Sequence, residues 1–141
     1  RFAVSPNGKV VVFSYKYDLF AVPEKGGEVK QITRSQTGIN DIVLMNDNKT
    51  IFFTSYEDGE PKLFRTEVNN LTEIDSVKWS EDKYINDIYE SGKRLIINFS
   101  DKKRRNQIAI SDTLFTSFQT TVDSQFVWQN FAISPDGRYA L

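Results

Sequence analysis

Apolar residues gather along this chain in runs of six to eight that contain both β-branched and aromatic side chains. Such runs are VVVFSY (10–15), DLFAVP (18–23), INDIVLM (39–45), TIFFTSY (50–56), PKLFRTEV (61–68), YINDIYE (84–90), RLIINFS (94–100), NQIAIS (106–111) and FTSFQTTV (115–122). Turn-forming residues punctuate them, which is the pattern of short strands joined by hairpins. Two further short strands are expected, EVKQIT (28–33) after the Gly26-Gly27 turn and one around residues 71–74. Helical periodicity is weak throughout, and the β-branched content argues against long helices.

Two segments repeat almost whole, FAVSPNGKVVVF (2–13) and FAISPDGRYAL (131–141). In each, Pro presets φ, Asn or Asp bonds locally and Gly supplies the positive φ of a hairpin turn. Degraded copies stand between them, at Asn46-Asp47-Asn48-Lys49 and Glu90-Ser91-Gly92-Lys93. Gly8, Asn48, Gly92 and Gly137, taken as equivalent, are spaced 40, 44 and 45 residues apart. That is the length of one four-stranded propeller blade. The expectation is an all-β chain, a single partial β-propeller segment over residues 1–141. It holds about three four-stranded antiparallel blades, near 1–38, 39–83 and 84–125, with the start of a fourth at 126–141. The runs 10–13 and 51–53 are apolar on both faces, as a strand clamped between two neighbouring blades requires.

Composition narrows the chemistry. With 18 basic and 19 acidic residues the net charge is −1, which offers nothing special to nucleic acid or an anionic membrane. The longest apolar runs fall far short of the ~20 residues of a membrane-crossing helix, so no membrane insertion is expected. The chain lacks cysteine, hence disulfides and thiol chemistry, and it lacks histidine. A Ser-His or Cys-His pair therefore cannot be assembled from these residues, nor can a His-based zinc site. No catalytic residue, metal or cofactor is expected here.

The pattern SPNGKVVVFSYKYDLFAVPEKGGEVKQIT resembles the propeller repeat shared by TolB and the tricorn proteases. With DNKTIFFTSYEDGEPKLFRTEV, NQIAISDTLFTSFQT and FVWQNFAISPDGRYAL, the chain looks like the N-terminal propeller of bacterial tricorn-like serine peptidases of the carboxyl-terminal-processing type. In that family a PDZ module and a peptidase domain follow the propeller. The resemblance implies a non-catalytic part that admits or docks polypeptide substrate, with catalysis housed elsewhere in the parent, and a bacterial periplasmic or cell-envelope setting. It implies as partners a polypeptide substrate or protein partner, and either the remainder of the parent chain or a second copy to supply further blades. The middle copies lack the Pro of the pattern. TolB-like propellers without enzymatic activity, and propellers of prolyl-oligopeptidase-like peptidases, share these repeats and are the alternative readings.

Several residues are candidates for contact with a partner. The tetrapeptide Ile-Asn-Asp-Ile occurs at 39–42 and 85–88, near the start of two repeats where the axis-lining strand belongs, so Asn40, Asp41, Asn86 and Asp87 are candidate channel-lining residues. The competing reading is a hydrated lining, or a buried Asp bonded to a neighbouring blade. Lys102, Lys103, Arg104 and Arg105 form a basic hairpin tip, in which Arg104 and Arg105 could hold a carboxylate; a solvated loop is the plainer alternative. Trp79, Phe126, Trp128 and Phe131 are expected as packing anchors between blades. Asn46, Asp47 and Asn48 lack the ligand spacing of a calcium loop and are assigned to a turn.

Overall fold

In a computed structural model, residues 1–34, 37–79, 82–103 and 105–123 are described. They form twelve strands, with no helix among the described residues. The first sheet comprises β1 (Phe2–Val4), β2 (Val10–Tyr15), β3 (Asp18–Pro23) and β4 (Lys30–Gln31). The second comprises β5 (Ile39–Leu44), β6 (Thr50–Glu57), β7 (Glu60–Glu67) and β8 (Asn70–Ser76). The third comprises β9 (Lys83–Ser91), β10 (Arg94–Asp101), β11 (Asn106–Ser111) and β12 (Phe118–Asp123). Each is an antiparallel meander in sequence order, the blade of a partial β-propeller. The chain divides into two compact units between Trp79 and Ser80; the first two sheets lie in one and the third in the other. The start of a fourth blade expected at 126–141 lies outside the described residues.

The turns explain the repeat. Ser5 and Met45 open equivalent hairpins, each closed by a bond from their amides to the carbonyls of Val10 and Thr50, both at 2.9 Å. Inside each, the amide of Gly8 or Asn48 bonds back to Ser5 or Met45, and both residues hold a positive φ, 72° and 58°. Asn7 Oδ1 accepts the Lys9 amide at 3.0 Å, and Asp47 Oδ1 accepts the Lys49 amide at 2.8 Å. One hairpin thus recurs with Asn48 in the glycine position, which asparagine tolerates better than other side chains. The third hairpin differs. Ser91 pairs with Arg94, so its loop is only Gly92 and Lys93, with Gly92 at a φ of 62°.

Two expected strands begin or end elsewhere. The strand anticipated over 28–33 is reduced to Lys30–Gln31. Its continuation toward residue 28 would run beside Pro23, which has no N–H to give to the ladder. The strand anticipated from Phe115 begins at Phe118. Asp112 takes the Thr116 amide at 2.7 Å and the hydroxyls of Thr116 and Ser117, and this turn places Phe115 at a φ of 59°.

In the first unit the two sheets face each other across an apolar core of Val12, Leu19, Ala21, Ile32, Leu44, Ile51 and Phe53. Phe64 packs against it, its ring stacked on Phe53 at 5.4 Å. Truncating one such buried ring to Ala costs about 3–5 kcal/mol, whereas ion pairs with an exposed partner contribute about 1 kcal/mol or less; packing therefore dominates the joint between the sheets. Strands β6 and β10 are buried on both faces over Thr50 to Ser55 and Leu95 to Phe99. Strand β2 is not: only Val12 is buried, and the opposite face of the first sheet leaves Phe2 73%, Val4 47% and Tyr15 59% exposed around the stacked pair Phe13 and Phe20.

Two predictions concern the turns. Gly8→Ala meets no steric obstacle but must hold φ near +72°, so it should lower the unfolding free energy by about 1–2 kcal/mol, and Gly8→Asn by less, in urea titrations. Burial raises the Asp47 carboxyl, but the hydroxyl and amide of Thr50, the amide of Lys49 and the Lys49 charge outweigh it and hold the group below 3.8. The hydroxyl of Thr116 leads a similar set that brings Asp112 to about 2. Both contributions are present above pH 3.8 and vanish as pH falls through the lowered values, so acid unfolding should steepen below pH 3.8. Asp47→Asn keeps the acceptor that Asn7 uses in the equivalent turn and removes the charge, and should flatten part of that decline in denaturation midpoints measured against pH.

Candidate functional site

The two Ile-Asn-Asp-Ile segments occupy matching places, and each carries a β-bulge. In β5, Ile39 pairs with Ser55 and Ile42 with Phe53, so Asn40 and Asp41 together oppose Thr54. In β9, Ile85 pairs with Phe99 and Asp87 with Asn98, leaving Asn86 as the extra residue. Bulges of this kind redirect a side chain at the end of a strand. The distance from the tetrapeptide to the next strand differs by two residues because the intervening loop has four residues in one sheet and two in the other. The two copies are therefore equivalent.

Their side chains have separate fates. Asp41 is buried, at 5% exposure; its amide donates to Thr54 Oγ1 at 3.0 Å, and its carboxylate accepts the guanidinium of Arg1, from the facing sheet. Asn40 is half-buried beside it. Asn86 donates to Ser100 Oγ at 2.9 Å, and that hydroxyl also meets Asn106 Oδ1 at 2.8 Å. Asp87 is half-buried, and its cross-strand neighbour Asn98 is 6% exposed with Oδ1 unpartnered. By hairpin register, Arg1 in the first sheet holds the place of Asp41 and Asp87, and Ser14 that of Thr54 and Asn98. A polar couple thus recurs at one position in all three sheets. Arg1 escaped the sequence reading because position 1 shows no motif by itself; counting back from the Ser5 turn as far as Asp41 lies before Met45 finds it.

The basic tip lies on the hairpin between β10 and β11. Arg105 is drawn into its own loop. Asp101 Oδ1 accepts the Arg105 amide at 2.9 Å, and Oδ2 accepts Nε and Nη2 at 2.8 and 2.7 Å. The Arg105 amide, burial acting against it, and the Arg105 side chain together leave the Asp101 carboxyl lowered. Lys102 pairs with Asp82, whose hydrogen bond raises the ammonium pKa. Arg104 lies outside the described residues, as do Phe126, Trp128 and Phe131; Trp79 is half-buried. Glu90 occupies the register position of Val4 and Leu44; burial raises its carboxyl against the opposing Gly92 amide.

A cleft of about 700 Å³ opens between the two sheets of the first unit. The segment that follows β4 contributes Ile32, Thr33, Arg34 and Thr37, and the second sheet contributes Phe53, Ser55, Tyr56, Glu57, Phe64, Thr72 and Ile74. The Thr37 and Ser55 hydroxyls lie 2.8 Å apart, Ser55 donates to the Gly38 carbonyl at 3.0 Å, and Thr33 donates to Asp18 at 3.0 Å. Most wall hydroxyls are thus satisfied internally, and the cleft offers chiefly an apolar surface with Arg34 and Glu57 at its margins.

No protein-family model matches the chain, and no curated protein does. Solved structures do. TolB from Acinetobacter baumannii superposes with a TM-score of 0.69 at 20% identity over 99% of this chain and 36% of that one. The tricorn protease gives 0.65 at 13% identity over 94% of this chain and 14% of that one. Dipeptidyl peptidase 4 from Porphyromonas gingivalis gives 0.65 at 14% identity, covering 85% of this chain and 25% of that one. The chain spans far less than two thirds of each of these proteins. At such identities the likeness is one of fold: this chain has a TolB-like β-propeller fold, also similar to a portion of the tricorn protease.

Proposed function

We propose that the chain is a non-catalytic propeller segment that docks polypeptide, belonging to a tricorn-like serine peptidase in which it controls substrate access. The observation that carries this reading is an open cleft between stacked blades in a sequence without histidine or cysteine. Such a chain can hold a ligand, while the His-dependent routes to an activated nucleophile are closed to it. The repeats resembling tricorn-like propellers, and the fold likeness to the tricorn protease, support the choice of parent. Under this reading Asn40, Asp41, Asn86 and Asp87 mark the inner strands that border the substrate path. Asp41 serves it indirectly, by tying β5 to the first sheet through Arg1. Arg105 stands at a hairpin tip and meets a carboxylate there only by exchange with Asp101; Arg104 shares this role by its adjacency in the sequence alone. The setting is the bacterial periplasm or cell envelope.

A second reading, a TolB-like propeller that binds a protein partner and has no enzymatic parent, is favoured by the TM-score of 0.69 and the 20% identity to TolB. The flanking coding sequence separates the two. A PDZ module and peptidase domain downstream support the first, further blades and then a stop the second, and a Gly-x-Ser-x-Gly hydrolase domain would replace both with a prolyl-oligopeptidase-like parent.

The exposed face around Phe2, Val4 and Tyr15 is covered, in this proposal, by another blade, from the parent chain or a second copy. This chain should therefore self-associate in light scattering or enhance the fluorescence of a hydrophobic dye; a dye-silent monomer would refute the covering blade. Incubated with casein or with short fluorogenic peptides, the purified chain should release nothing above buffer, and turnover that survives repurification would remove the premise that catalysis lies elsewhere.

A further inference from the structure

The cleft between the first two sheets carries a more specific assignment. Its floor is apolar: Ile32 and Phe53 are buried, Phe64 stacks on Phe53, and Ile74 remains 37% exposed beside them. Arg34 is exposed and makes no ion pair among the described residues, although it presents a planar set of donors next to that floor. Glu57 lies on the wall contributed by β6, opposite Glu60 across the Asp58-Gly59 hairpin, and Lys62 follows on the same face opposite Ser55, so the lining itself holds one carboxylate. A phosphate-bearing ligand would find one cation and a repelling carboxylate. A sugar would find hydroxyls already bonded to one another. The combination matches a chain that presents one apolar side chain between an acidic and a basic neighbour.

We propose that this cleft binds an extended, internal polypeptide segment by seating one apolar side chain against Phe64 and Ile74 while Arg34 holds an adjacent carboxylate. The assignment rests on the reading that the chain docks polypeptide, and it names the site and the sequence character recognised. Burial of the apolar side chain supplies most of the affinity, because the floor loses exposed apolar area on binding. The charges select among segments, since an exposed guanidinium discriminates more than it strengthens. Recognition does not require a chain terminus.

The test is amide NMR of the isotope-labelled chain titrated with blocked pentapeptides. The probe is N-acetylated, C-amidated Gly-Asp-Phe-Lys-Gly, compared with the same peptide carrying Ser for Phe or Lys for Asp. Shifts should centre on Ser55, Thr72 and Ile74. The Phe-to-Ser peptide should bind roughly tenfold more weakly and the Asp-to-Lys peptide roughly fivefold more weakly. Arg34→Glu, at an exposed position that leaves the denaturation midpoint unchanged, should abolish or reverse the preference for Asp over Lys. Ile74→Ser should bring the Phe peptide down toward the Ser peptide. Binding with shifts centred elsewhere, or an Asp preference untouched by Arg34→Glu, overturns the cleft assignment while polypeptide docking stands. Absence of binding by all three peptides overturns both.

Discussion

The structure depends on sheets that are apolar on two faces and must therefore be covered twice. A four-stranded meander with one wet face could stand as half of a sandwich. Here the second strand of each sheet is apolar at consecutive positions, and β6 and β10 are buried on both faces. In the first unit one such contact is complete, with Val12, Leu19 and Ala21 against Leu44, Ile51 and Phe53. The other face of the first sheet carries the same kind of residues, and Phe2 and Tyr15 stand in the open. The hydrophobic effect that joins two blades thus leaves an exposed apolar face on the first sheet.

Polar groups refine this stack. At one register position every sheet places a polar couple, Arg1 with Ser14, Asp41 with Thr54 and Asp87 with Asn98. Where a bulge opens the ladder at Asp41, a hydroxyl meets the freed amide and a guanidinium from the facing sheet neutralises the carboxylate. A buried carboxylate without such partners would carry a heavy desolvation cost. The same pair connects the first strands of neighbouring sheets, so the residue expected as a ligand contact serves the joint. The cleft forms where that joint widens, between the connection leaving β4 and the end of β6. Its hydroxyls hold the two walls together and leave apolar surface for a ligand.

Much of this was legible in the chain. Apolar runs and turn chemistry located nearly every strand within one or two residues, because hairpin loops impose local conditions on φ that only a few residues meet. Gly8 and Asn48 do the same work in equivalent loops, which is why a repeat survives the loss of its Pro. The exceptions have local causes of another kind. Pro23 removes a donor opposite the strand expected over 28–33, and Asp112 captures the hydroxyls and amide that would have begun a strand at Phe115. Arg105 looked available for a carboxylate, but Asp101 four residues earlier already engages it.

Sequence by itself determined the all-β class, most turn positions and the exclusion of histidine and cysteine chemistry, since each follows from residue identity and spacing along one strand or loop. Tertiary structure alone decided that Arg1 neutralises Asp41 and that Asn86 shares a hydroxyl with Asn106. It also placed Arg34, Phe64 and Ile74 around one cleft. These residues lie far apart in the chain and carry no common motif. Their meeting depends on how one sheet packs against the next, or on how strands align within a sheet, and no local rule along the sequence encodes either.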